Sequence, residues 1–109
     1  MGVQENWAKI IGIILILVGV VGFFVGDNLL GFDINSAHNV VHIITGIIFA
    51  WAGFAGSGAK VVNTWLGVIY VVVGIVGFFN VLGFLNVNVA DNWLHLIIGV
   101  VSAGIGWKA

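Results

Sequence analysis

Charge is what this sequence has least of. Among 109 residues three are basic, all of them lysine, and four are acidic, for a net charge of −1. A soluble domain carries about 25% charged residues. Here the share is 6%, against 61% hydrophobic. So few charges cannot solvate a globular surface, and lipid must cover most of the chain. The lack of a basic surplus argues against a nucleic-acid partner. Cysteine is absent, which excludes disulfides, thiolate metal ligands and thiol catalysis. Proline is absent too, so no helix is kinked by a pyrrolidine ring.

What fills the chain is long apolar runs. A membrane-spanning helix needs roughly 20 mostly apolar residues. Four such runs occur, at about Trp7–Val25, His38–Phe54, Val62–Phe79 and Asn92–Trp107. No polar cleavage region follows the first, so it is expected to be retained as a span. The first connection holds Gly26, Asp27, Asn28, Gly31 and Asp33. The second is Ala55–Lys60, and the third runs from Asn80 to Asn88. Short connections favour antiparallel neighbours. The expectation is an all-α, four-transmembrane-helix bundle, a single membrane domain over residues 1–109.

The two halves repeat. Gly12, Gly19, Gly22, Phe23 and Phe24 align with Gly67, Gly74, Gly77, Phe78 and Phe79. Repeat 1 covers about residues 7–54 and repeat 2 about 62–107. Two spans per half bring both halves into the membrane from the same side. The bundle is therefore expected to consist of two parallel-repeat helical hairpins about a pseudo-two-fold axis along the membrane normal. Lys9, Lys60 and Lys108 fall on one side, and Asp27, Asp33 and Asp91 on the other. The positive-inside rule then places both termini in the cytoplasm of a prokaryotic inner membrane.

A twelve-residue signature recurs within the repeat. Residues Asn35 to Gly46, with His38, Asn39 and His42, match Asn88 to Gly99, with Asp91, Asn92 and His95. These segments hold every histidine of the chain. Residues three, four and seven apart share a helix face. Asn39, His42, Gly46, Ala50 and Gly53 are thus expected to form one stripe, and Asn92, His95, Gly99, Ala103 and Gly106 its counterpart. Small residues mark close helix contact in lipid, so Gly46, Gly53, Gly99 and Gly106 are expected at helix interfaces, with the polar groups facing inward. Asn35 and Asn88 stand where helix N-caps would. Asn39 and Asn92 would bond His42 and His95.

With these residues in place, the chain resembles a bacterial four-helix membrane family known only as a domain of unknown function. The resemblance rests on the duplicated halves, the Gly-x-x-Gly-Phe first spans, and His38-Asn39-x-x-His42 paired with Asp91-Asn92-x-x-His95. It implies the four-helix fold and no activity.

Several uses of the signature remain open at this level. The first is a structural lock with no cofactor. The second is a divalent metal held by His38, His42, Asp91 and His95, since imidazole and carboxylate suit a tetrahedral zinc-type ion. The third is a haem- or chlorophyll-type macrocycle held axially by His42 or His95 beside Gly46 or Gly99. A proton or small-solute path comes last, because no charged residue sits mid-span. Ser57, Ser102, Thr45 and Thr64 lack a base with an orienting partner, and Ser36, near His38, is expected to assist the helix cap rather than act as a nucleophile, so the protein is not expected to be an enzyme. The expected role is structural, assembly or accessory, within a homo-oligomer or beside other membrane subunits, with the lipid bilayer as surroundings. The alternative is a metal- or macrocycle-binding membrane subunit.

Overall fold

The computed structural model describes residues 2–79 and 81–108. Asn80, the first residue of the expected third connection, lies outside the described residues. So do Met1 and Ala109. In lipid every backbone group must find its partner inside the chain, and a helix does this within one segment. Four helices result: α1 (Val3–Gly22), α2 (Ser36–Ala55), α3 (Ala59–Gly77) and α4 (Val89–Trp107). Each is long and apolar enough to cross a membrane. At 1.5 Å per residue, 19 or 20 residues reach about 30 Å, the thickness of the hydrocarbon core. The all-α, four-helix expectation holds.

All four helices start two to four residues before the starts read in the sequence, while α1 ends at Gly22 rather than Val25 and α3 at Gly77 rather than Phe79. The first helix starts at Val3 rather than Trp7, because the Glu5 carboxylate folds back onto the Gly2 N–H at 3.0 Å and caps the start. The third starts at Ala59, directly after Gly58. The turn Gly56-Ser57-Gly58 needs two left-handed residues, Gly56 at φ 72° and Gly58 at φ 79°. Glycine adopts that conformation without a Cβ penalty.

The first connection is more ordered than a plain loop. Asn28–Leu29 (β1) and Phe32–Asp33 (β2) pair antiparallel. Leu30 and Gly31 between them both have positive φ, the requirement of a two-residue type I′ turn. The third connection carries a 3₁₀ turn at Gly83–Leu85. The two connections cross-link each other at the end of the bundle opposite the lysines. The Asn35 amide donates to the Phe84 carbonyl (2.8 Å), and the Asn88 amide donates to the Gly31 carbonyl (3.0 Å). Asn35 with Asn88 and Gly31 with Phe84 are equivalent repeat positions, so these bonds mirror each other across the pseudo-two-fold. Beneath them Ile34 and Leu85 are buried.

Packing is closest within each hairpin, α1 on α2 and α3 on α4. A Cβ on Gly46 would sit 2.8 Å from the Gly12 carbonyl oxygen and 2.8 Å from the Ile16 nitrogen. One on Gly99 would sit 2.7 Å from the Gly67 carbonyl oxygen. Gly53 lies against the backbone of Glu5 and Lys9, and Gly106 against that of Thr64. The small residues thus let each helix pair approach backbone to backbone.

Candidate metal centre

The signature divides between two helix faces. Asn39 and His42 are three residues apart, so their side chains diverge by about 60° around the axis. That angle is decisive here. Asn39 faces α1, with its side chain directly against Gly22. Asn92 faces α3 in the same way, against Gly77. Neither asparagine bonds a histidine, which corrects the expected Asn–His pairing and the single stripe. His38 and His42 instead face the opposite hairpin, on one side of α2 with Thr45, Phe49 and Ala52. His95 meets them from α4.

Three rings converge as a result. The ring centroids of His38 and His42 are 4.4 Å apart, those of His38 and His95 5.4 Å, and those of His42 and His95 5.9 Å. One nitrogen from each ring lies within 4.8 Å of the other two. All three residues are buried, His38 to 1% exposure. The Nδ1 atoms of His42 and His95 are buried without a hydrogen-bond partner, and the two buried nitrogens of His38 lie near the backbone oxygens of Leu85 and Asp33 without closing a well-formed bond. Nitrogens bound to zinc at about 2.0–2.1 Å stand about 3.4 Å apart in a tetrahedron. Closing from 4.8 Å takes a movement within reach of small χ rotations.

Asp91 is occupied differently. Its Oδ2 accepts the Asn88 N–H (2.8 Å) and the Asp33 N–H (3.0 Å). Asn88 in turn accepts the Asp91 N–H at 2.8 Å, which closes a reciprocal capping box. Asn35 caps α2 by accepting the His38 N–H at 2.8 Å. Asp91 is therefore not grouped with the three histidines as a ligand. It does line a cavity of about 120 Å³ that also touches His42 and His95.

A second cavity, of about 50 Å³, lies among His38, His42, His95, Thr45 and Tyr70. Binding pockets for organic molecules run about 300–1,000 Å³. Neither space beside the histidines admits a haem- or chlorophyll-sized ring, whereas an ion with a small ligand fits.

Sequence reading passed over a second polar cluster at the lysine end. The Asn63 amide donates to the Gln4 side-chain oxygen (2.9 Å) and to its carbonyl (3.0 Å). The Gln4 amide donates to the Ile105 carbonyl at 2.6 Å, and the Trp7 indole N–H donates to Ser102 Oγ at 2.9 Å. Tyr70 was passed over too, and Thr45 was weighed only as a nucleophile. A signal for all of these exists in the repeat. Alignment of the halves sets Gln4 against Ala59, Asn63 against Ala8, Ser102 against Phe49 and Tyr70 against Leu15. A polar group that replaces an apolar one at an otherwise duplicated position marks a contact peculiar to one half.

Comparison with curated proteins and with solved structures gives no match. A family model does match, over residues 5–108. With four membrane-length helices and the duplicated signature in view, the chain belongs to the family described as domain of unknown function DUF4383.

Proposed function

We propose that this protein is a small subunit of a prokaryotic cytoplasmic membrane that holds a divalent transition-metal ion on His38, His42 and His95. The observation that carries the reading is the convergence of three buried imidazoles with four nitrogens that close no well-formed hydrogen bond. A buried polar atom left unpaired costs about 1–3 kcal/mol. Retaining several in one cluster makes sense if something binds there. Neutral imidazole is the commonest metal ligand, and three nitrogen donors suit zinc, copper or nickel rather than magnesium or calcium. The carboxylate of Asp91 beside the neighbouring cavity offsets part of the ion's charge within the bilayer. The signature then has two jobs: Asn35, Asn88 and Asp91 cap helices, and the histidines bind.

An accessory or assembly role, in a homo-oligomer or with other membrane subunits, is the setting that fits so small a bundle. The spaces at its centre are ion-sized, and no charged residue lines a path between the two faces at mid-span. The lysine distribution supports a cytoplasmic position for both termini. Reporter fusions after Ala109 and within Ser57–Lys60 should both read cytoplasmic, and an external signal at either would overturn that topology.

Elemental analysis of detergent-purified protein tests the site. The expected result is about one zinc or copper per chain, lost in both His42→Gln and His95→Gln. Protein that folds but takes up no more metal than these variants would refute the reading.

A further inference from the structure

We propose that the three-histidine centre keeps a fourth coordination position open to a small protic molecule of the water or hydroxide class, held between the ion and the Tyr70–Thr45 pair. This rests on the metal-binding reading above. Zinc-type sites with three protein ligands leave the fourth position of the tetrahedron to water or substrate. Asp91 does not close it: its carboxylate is held in the α4 cap by two backbone N–H groups on Oδ2, and neither of its oxygens groups with the three histidine nitrogens. The cavity of about 50 Å³ that touches all three histidines is the space left for that position. A water molecule accounts for about 30 Å³ of liquid, so one or two small molecules fit and an organic substrate does not.

The polar wall of this cavity shows which kind of guest it takes. Thr45 Oγ1 lies 2.8 Å from the Val41 carbonyl oxygen and 3.3 Å from that of His42. Both carbonyls only accept, so the single hydroxyl hydrogen of Thr45 is committed to the helix backbone. Thr45 Oγ1 and Tyr70 Oη are 2.7 Å apart, and Tyr70 must then be the donor of that bond. Its oxygen keeps its lone pairs, which can only accept. Tyr70 is buried at 4% exposure, with its ring edge-on to His95 at 5.7 Å. An acceptor fixed beside the histidines favours a guest that carries a hydrogen over an aprotic anion. Tyr70 is thus a positioning residue for the fourth ligand, and Thr45 sets the direction of its hydroxyl. The remaining wall is aliphatic and excludes competing polar groups.

Cobalt(II) reports this directly, because its visible bands respond to coordination number and to exchange of the fourth ligand. The full chain in detergent is loaded with cobalt, counted by elemental analysis and titrated with azide. We expect the intense bands of a four-coordinate site, shifted by azide and unmoved by imidazole, which is too large. In Tyr70→Phe the protic ligand loses its acceptor, so azide should displace it with a dissociation constant severalfold lower. Thr45→Val should act in the same direction by freeing the Tyr70 hydroxyl to donate to azide, and it carries the test if Tyr70→Phe does not fold. Cobalt retained no better than in His42→Gln would overturn the metal reading itself. Stoichiometric cobalt whose bands ignore azide would leave that reading standing and overturn the open position. Azide binding that is unchanged or weaker in both variants would overturn the roles of Tyr70 and Thr45.

Discussion

Within each hairpin the helices meet through glycine, and the two hairpins meet through polar and aromatic side chains set among the buried Ala8, Ile11, Leu15, Ala52 and Ala59. The first kind of seam is duplicated. Gly12 lies on Gly46 as Gly67 lies on Gly99, and Gly22 receives Asn39 as Gly77 receives Asn92. The second kind is not. Gln4 bonds Asn63, Trp7 bonds Ser102 and Thr45 bonds Tyr70, and in each case the equivalent positions of the other half carry Ala59 and Ala8, Val62 and Phe49, or Ile98 and Leu15. The two halves are thus alike in their internal packing and differ mostly where they touch. There are two exceptions: the cross-hairpin bonds of the outer connections, where Asn35 and Asn88 still mirror each other, and the histidine cluster, where His42 and His95 meet from equivalent positions. In lipid the hydrophobic effect does not hold helices together. Close backbone approach can do so between any two copies, whereas side-chain hydrogen bonds select one pairing over another.

The contrast can be broken most severely at the glycines. Gly46→Leu and Gly99→Leu drive a side chain into backbone that cannot recede, and each should cost about 3 kcal/mol or more. Thermal aggregation in detergent should begin at markedly lower temperature for both. Leucine at Ile44 or Ile97, each more than half exposed, should leave the midpoint where it was. Equal tolerance at both sets of positions would remove the distinction between the seams.

The centre of the inter-hairpin seam gives the next largest effect. Zinc at a hundred times its dissociation constant should stabilise the folded protein by about 2.7 kcal/mol. His42→Gln, which ties α2 to α4 no longer, should abolish that gain and leave the metal-free midpoint little changed. A zinc-dependent rise of the same size in the variant would assign the ion elsewhere.

Smaller again is the Gln4–Asn63 pair. Asn63→Ala should cost about 1–2 kcal/mol, within the range of hydrogen bonds between membrane helices with the added penalty of a stranded Gln4. The pair also sharpens the argument from divergence. Moving it to the mirror positions, by Gln4→Ala and Asn63→Ala together with Ala59→Gln and Ala8→Asn, should recover most of the loss. Failure of that fourfold variant to exceed Asn63→Ala in midpoint would show that the two sides of the seam are not interchangeable.

The smallest effect is expected at the caps. Asn35→Ala and Asn88→Ala each remove an N-cap worth about 1 kcal/mol. Each also removes one of the mirrored bonds between the outer connections, so the two losses should agree closely. A loss at Asn88 more than twice that at Asn35, read in the same thermal assay, would make the Asp91 capping box the larger share.

Much of this protein is written in one dimension. Apolar runs of membrane length separated by short polar connections leave little besides a helical bundle, because lipid offers no partner to an unpaired backbone group. The glycine repeat announces two hairpins, and Asn35 and Asn88 stand at helix starts with no tertiary information needed. Angular position around each helix is only roughly legible, since a spacing of three residues can be read as one face or as two. Asn39 and His42 fall on two, and only packing decided which of them looks across the bundle. The meeting of His38, His42 and His95, the withdrawal of Asp91 into a cap and the pairing of Gln4 with Asn63 all join residues far apart in the chain. Spacing along a helix constrains neighbours on that helix. Which side chains meet across two hairpins is set by how the hairpins rotate about their own axes until their surfaces fit, and that rotation is a property of the folded molecule.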